Sequence, residues 1–131
     1  MKIDESRSIW QQLVEEFRRR IAVGEWPSGQ KIPSVRELAL ELGVNPNTVQ
    51  RALTETDRMK LTTTLRTSGR FVTGESIAIR TARQEIAEDA VDTLAAACAG
   101  MHMDLEEIIA VIRERWPSEA AGCDMTKERQ E

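Results

Sequence analysis

The stretch P-S-V-R-E-L-A-L-E-L-G-V-N-P-N-T-V-Q-R, from Pro33 to Arg51, decides the fold. Pro33 pre-sets an extended approach, Ser34 is a good N-cap, and Glu37 three residues on can complete a capping box. Val35, Leu38, Ala39 and Leu42 then fall at i, i+3, i+4 and i+7, the apolar stripe of a short helix. Gly43 is the residue type that closes a helix with positive φ. A second helix begins at once, with Asn45 as N-cap and Pro46 at its first position. Val44, Val49, Ala52 and Leu53 supply its buried side. Asn47, Thr48, Gln50 and Arg51 give its opening turns hydrogen-bonding groups instead. Helix, Gly turn and a second helix with a polar N-terminal face is the helix-turn-helix arrangement that sets a recognition helix in the DNA major groove. By spacing alone, an ordinary αα-hairpin fits equally well, so the flanking sequence has to discriminate.

After the second helix, which runs to about Arg58, comes L-T-T-T-L-R-T-S-G-R-F-V-T, Leu61 to Thr73. Threonines interleaved with Leu61, Leu65, Phe71 and Val72, broken at Ser68-Gly69, predict a β-hairpin with its tip at Arg66-Thr67-Ser68-Gly69-Arg70. Two strands cannot stand alone and must lean on the helices. Gly69 permits a tight tip that approaches a DNA backbone, and the arginines suit a narrow minor groove. Before the helix pair, Ile9, Leu13, Phe17 and Ile21 recur four apart with Trp10 and Val14 beside them, predicting another helix that Gly24 stops. Arg18, Arg19 and Arg20 in its last turns read as a solvated basic end that suits the helix dipole. Residues 1–7 read as loose, Trp26 to Gly29 as a turn, and Lys31-Ile32 as at most a very short strand. Helix, helix pair, then hairpin is the winged helix-turn-helix order.

The chain has 131 residues and a formal net charge of −4, the wrong sign for a nucleic-acid binder if taken over the whole chain. Split at Thr73, residues 1–73 hold 12 Lys/Arg against 9 Asp/Glu, net +3, and residues 74–131 hold 6 against 13, net −7. Phosphate neutralisation is local, so the basic half is the one that matters. A single histidine, His102, and two distant cysteines, Cys98 and Cys123, offer neither a metal cluster nor a nucleophile–base pair. No catalytic residue, metal or cofactor is expected, and the chain is read as no enzyme. Without an apolar run of about 18 residues or a signal-peptide stretch, a cytoplasmic, reduced protein is expected.

Gly74 marks the expected end of a DNA-binding domain over residues 1–74. Ile79, Ala82, Ile86, Ala90, Leu94, Ala97 and Met101 then mark one side of a long helix ending near Gly100. Asp104 caps another, with Glu107 at its third position, the stripe Leu105, Ile108, Ile109, Ile112 and Trp116, and Pro117 as stop. Residues 75–117 thus predict an antiparallel helix pair too small to enclose a ligand and leaving an apolar face uncovered. Self-association through Ile86, Ala90, Leu94, Ala97, Leu105, Ile108, Ile112 and Trp116 would cover it as a four-helix dimer core. Residues 118–131 are polar and read as a disordered tail. The fold class is mainly α with a small β-hairpin.

In this order, S-I-W-Q-Q-L, G-E-W-P-S-G-Q-K-I-P-S-V-R-E-L-A, L-G-V-N-P-N-T-V-Q-R-A and R-T-S-G-R-F-V-T resemble the GntR family of bacterial transcription regulators over Ser8 to Gly74. The short two-helix C-terminal part is similar to the YtrA-type branch. That resemblance implies a homodimeric regulator, often a repressor, of transporter operons. It also implies DNA contact by Arg36, by Asn45, Asn47, Thr48 and Arg51, and by the wing tip around Gly69. The chemistry agrees: Arg reads guanine O6/N7 or clamps phosphate, Asn suits adenine, and a Thr methyl meets a thymine methyl. The expected DNA contacts are therefore Ser34, Arg36, Asn45, Asn47, Thr48, Gln50, Arg51, Arg66, Thr67, Ser68, Gly69 and Arg70, on a pseudo-palindromic duplex. The competing reading is a winged-helix adaptor that binds protein and never DNA. An intact polar recognition face speaks against it. The chain departs from the family pattern at Thr56, where Leu is usual, at Met59-Lys60, where Glu-Gly is usual, and at Leu65, usually basic. A weaker junction between recognition helix and wing is the expected consequence.

Overall fold

The computed structural model describes residues 1–117. In chain order it places α1 (Ile9–Ala22), α2 (Val35–Leu42), α3 (Pro46–Arg58), β1 (Thr62–Leu65), β2 (Gly69–Val72), α4 (Ser76–Gly100) and α5 (Leu105–Arg115). The order and the class, helical with one small antiparallel sheet, are those the sequence predicts. The proposed tail over residues 118–131, and Cys123 within it, lie outside the described residues.

The first compact unit is Met1–Glu88. Its core is built from one stripe per helix: Leu13, Phe17 and Ile21 of α1, Leu38 and Ala39 of α2, and Val49, Ala52 and Leu53 of α3. Phe17 is fully buried and stacks on Trp26 with ring centroids 5.3 Å apart. Leu61 and Val72 close the core from the hairpin, whose register pairs Thr62 with Val72 and Leu65 with Gly69. The short Lys31-Ile32 segment lies along the other edge of β2. Ile32 N–H donates to Arg70 O at 2.8 Å, and Val72 N–H to Gln30 O at 2.9 Å. A two-stranded wing is marginal by itself, and this third rung ties it to the body.

Several expectations are corrected by packing. Residues 4–7 are pinned rather than loose. The buried Gln12 amide accepts from Asp4 N–H at 2.8 Å and donates to Asp4 O at 2.6 Å, because a buried amide needs partners on both its ends. Arg20 is not part of a solvated basic end. It is buried, lies 5.4 Å over the Trp26 ring, and donates at 2.8 Å to both Glu16 of its own helix and Glu41 of α2. The compact unit also runs past Gly74. Ala82 is buried, Ala78 and Ile79 pack on the core, and Arg18 meets Glu85 at 3.5 Å. The first turns of α4 are therefore part of this packing.

Three helices end in one device. Gly43, Lys60 and His102 all take left-handed φ, at 67°, 64° and 59°. In each case the next residue's N–H reaches back five residues, as Val44 does to Ala39 O, Leu61 to Thr56 O and Met103 to Cys98 O. This Schellman closure satisfies carbonyls the helix leaves free, and glycine adopts it without strain.

The second unit is Asp89–Glu131. Within its described part, Asp104 and Glu107 form the expected capping box, with both hydrogen bonds at 3.0 Å. The apolar surface of α4 gathered with α5 is Val91, Leu94, Ala95 and Cys98, around Met103, Ile108, Ile109 and Ile112. Leu94, Ile108 and Ile112 of the expected stripe are in this set, Cys98 beside them is buried, and Ala90 and Ala97 are exposed in the single chain. Ile86 belongs to the first unit, beside Ile21, Val23 and Ile79. Leu105, Val91 and Trp116 remain 69%, 57% and 62% exposed, a concentration of bare apolar surface on a short helix pair.

Candidate nucleic-acid interface

The helix pair is held by caps at each start. Ser34 Oγ accepts from Glu37 N–H at 3.1 Å, and Glu37 Oε1 accepts from Ser34 N–H at 2.8 Å. Ser34 is thus engaged in closing α2. Asn45 Oδ1 accepts from Asn47 N–H at 2.7 Å, which leaves the Asn45 side-chain NH2 group unused by the cap. Pro46 follows at the first helical position, where its missing N–H has no intrahelical partner to lose. The result is a recognition helix whose N-terminal backbone is fixed while Asn47 and Gln50 stay exposed and Thr48 half-exposed. Gln50 Nε2 donates to Thr54 Oγ1 at 3.3 Å, lying along its own helix.

The arginines divide sharply. Arg36 is exposed on α2 and has no ion-pair partner among the described residues. Arg51 lies with its guanidinium 4.1 Å from the Trp10 ring centroid, a cation–π stack that steers a long side chain while leaving it accessible. Arg70, expected at the wing tip, is instead bound to Asp57 of α3. Its Nε donates to Oδ1 at 3.1 Å and its Nη2 to Oδ2 at 3.1 Å, and its side chain is 14% exposed. Arg66, Thr67 and Ser68 are exposed at the hairpin tip.

The junction between recognition helix and wing, expected to be weak, is filled by a polar network. Thr56 is fully buried, and its hydroxyl meets Thr62 Oγ1 at 2.8 Å. Thr62 donates in turn to Asp57 Oδ1, and Thr64 donates to Asp57 Oδ2 at 2.8 Å. One carboxylate therefore receives two hydroxyls and a bidentate guanidinium, binding the end of α3 to both wing strands. Burial works to raise the Asp57 pKa, but the donors from Arg70, Thr62 and Thr64 outweigh it and hold the carboxyl below its ordinary value. No buried side-chain polar atom among the described residues lacks a partner. Where a leucine would close this junction by apolar contact, Thr56 closes it by hydrogen bonds.

Ser34, Gln50, Thr67, Ser68, Gly69 and Arg70 line one open groove between the helix pair and the wing. Arg36 on α2, Asn45 at the cap of α3, and Asn47, Thr48 and Arg51 on α3 do not line it. The groove also holds Lys31, Glu25, Glu37 and Glu41, so its charge is mixed. Sequence reasoning missed Lys31 as a lining residue of the groove, and Asp57 and Trp10 as the partners of Arg70 and Arg51. Trp10 carried a signal as an aromatic flanking the apolar stripe of α1, and Lys31 one as part of the very short strand expected at Lys31-Ile32. Lys31 and Asp57 reach the wing through pairings that chain order does not display.

The family described as "Bacterial regulatory proteins, gntR family" matches residues 10–72, which hold the whole helix pair and wing. A solved GntR family transcriptional regulator from Listeria monocytogenes is similar at 31% identity and a TM-score of 0.81, over 86% of this chain and 98% of that one. The uncharacterized HTH-type transcriptional regulator YhcF of Bacillus subtilis is 27% identical over 82% of this chain and 89% of its own length. The HTH-type transcriptional repressor YtrA of the same organism is 37% identical over 51% of this chain and 52% of its own length. Caps, recognition helix, wing and similarity along nearly the full length of the Listeria protein lead to one conclusion: the chain belongs to the GntR family of bacterial regulatory proteins, DNA-binding regulators of transcription and not enzymes.

Proposed function

We propose that the protein is a dimeric repressor in the bacterial cytoplasm, acting on a transporter-type operon through a pseudo-palindromic duplex. The observation that carries the DNA geometry is the start of α3. Its backbone donors are capped internally, while Asn47, Gln50 and the exposed Arg36 and Arg51 are left as side chains able to meet base edges and phosphates. The helix enters the major groove, and the wing reaches the adjacent minor groove or backbone. The exposed Leu105, Val91 and Trp116 support self-association of the second unit, because apolar area of this kind on a short helix pair is stabilised by burial. The name of the Bacillus relative YtrA supports repression rather than activation.

Selection of duplexes from a randomised pool by the full chain tests this reading. The expected product is a site with two inverted half-sites about one helical turn apart. Affinity for it should fall steeply between low and moderate salt, the log–log slope changing by roughly 0.9 for each phosphate neutralised. Asn47→Ala and Thr48→Ala should relax preference at particular base positions, since each lost base contact costs about 1–3 kcal/mol of discrimination. Uniform loss across all sequences in both variants would refute the placement of α3 in the major groove. Recovery of single, non-repeated sites would refute the dimer.

A further inference from the structure

We propose that Lys31, together with the tip residue Arg66, supplies the wing's charge contact with DNA, while Arg70 acts with Asp57 as a strut that sets the wing's position against the recognition helix. The proposal rests on the DNA-binding reading above and assigns roles within that same surface. It starts from the difference between the three cations near the wing. Arg70 is 14% exposed, in a two-bond pair with a carboxylate that also binds Thr62 and Thr64. Withdrawing its guanidinium to meet a phosphate would leave the half-buried Asp57 carboxylate with hydroxyl donors alone and give up the two-point fork that ties α3 to the wing. Its bidentate geometry is therefore used inside the protein.

Lys31 is placed in the opposite way. Its backbone pairs with Phe71 across β2, so it belongs to the wing sheet although it precedes the helix pair in sequence. Its side chain lies over Gly69: a Cβ added at Gly69 would come within 2.8 Å of Lys31 Cε and 3.5 Å of its Nζ. Gly69, with φ of 108°, leaves the space in which the lysine stem rests against the hairpin backbone. Lys31 is exposed and has no ion-pair partner among the described residues, and neither has Arg66. Lys31 also lines the groove that Gln50 and Ser68 share, between recognition helix and wing. Glu25, Glu37 and Glu41 line that groove without pairing to it. A flexible ammonium at the edge of a groove is suited to a phosphate as a point charge, and a buried bidentate arginine is suited to orientation.

The test uses the full chain and a duplex selected by the wild-type protein, titrated from about 50 to 200 mM potassium chloride. Lys31→Gln should weaken binding at low salt and lower the log–log salt slope by about 0.9 for each protomer bound. Arg70→Lys keeps the charge and loses the fork, so it should weaken binding several-fold with the slope unchanged. Asp57→Asn should do the same, and the double variant with Arg70→Lys should lose no more than either alone, because both remove one strut. An unchanged slope in Lys31→Gln overturns the contact. An Arg70→Lys protein that binds like wild type, or Asp57→Asn binding more tightly through a freed arginine, overturns the strut. Circular dichroism of each variant separates loss of the strut from loss of fold, and Lys31→Gln, at an exposed position, tests the contact independently. Absence of salt dependence in the wild type would instead refute the DNA-binding reading itself, an outcome distinct from all of these.

Discussion

Lys60 sits where the chain must turn from recognition helix to wing, and replacing it by glycine should stabilise the protein. Its φ is 64°, in the left-handed region, and its N–H donates to Asp57 O at 2.9 Å while Leu61 N–H donates to Thr56 O at 3.0 Å. The closure needs this backbone, so the chain accepts the Cβ–carbonyl crowding of a non-glycine residue, about 1–2 kcal/mol. Glycine removes that strain but brings a more flexible unfolded chain, worth about 0.4–1 kcal/mol in the other direction. The expected balance for Lys60→Gly is a gain of roughly 0.5–1 kcal/mol, or about 2–8 °C in Tm for a unit of this size. Lys60→Ala is the control: it removes the long charged side chain, keeps the Cβ, and should show little of the gain. Urea denaturation at fixed protein concentration, followed by tryptophan fluorescence with Trp26 buried in the core, measures both. A glycine variant no more stable than the alanine variant would refute the strain argument, leaving surface charge as the cause of any change.

The remaining predictions concern the junction, the second unit and pH. Thr56→Val should cost about 1–2 kcal/mol, because Thr62 loses its buried partner and no new bond replaces it. A valine variant as stable as wild type in the same urea titration would show that the hydroxyl chain contributes nothing. Leu94→Glu or Ile108→Glu should convert the dimer to a monomer by light scattering and lower affinity for a two-half-site duplex, since an unpaired charge cannot stay buried. A Leu94→Glu protein that remains dimeric sinks the proposed interface. Glu16, held to about 2 chiefly by Arg19 and further by Arg20 against the opposing effect of burial, contributes stability that is full above its ordinary 4.5. That contribution should fade as pH drops from 4.5 towards 2, with Asp57 acting in the same direction. Glu16→Gln should flatten this part of the profile. A wild-type stability unchanged across that window would contradict the assigned ion pairs.

Local chemistry made the fold legible in the sequence. Ser34 with Glu37, Gly43, Asn45 with Pro46, and Asp104 with Glu107 each act within a few residues, so helix starts and stops can be read directly and coincide with the observed caps. Apolar spacing likewise marked the buried faces of α1, α2 and α3, because helical periodicity is a property of the chain. What only the tertiary structure decided are the partnerships of charged and polar groups distant in sequence. Arg20 found Glu41 and Trp26, Arg51 found Trp10, and Asp57 took Arg70 away from the surface. Lys31 joined the wing across an entire helix pair. An arginine's sequence neighbourhood says it will be charged and long, but which carboxylate, ring or solvent it meets depends on how the elements pack. The same applies to Thr56 and Lys60, residues that look like defects when read against the family pattern. In three dimensions one is a bonded hydroxyl between helix and wing, and the other a strained turn held by the helix end it closes.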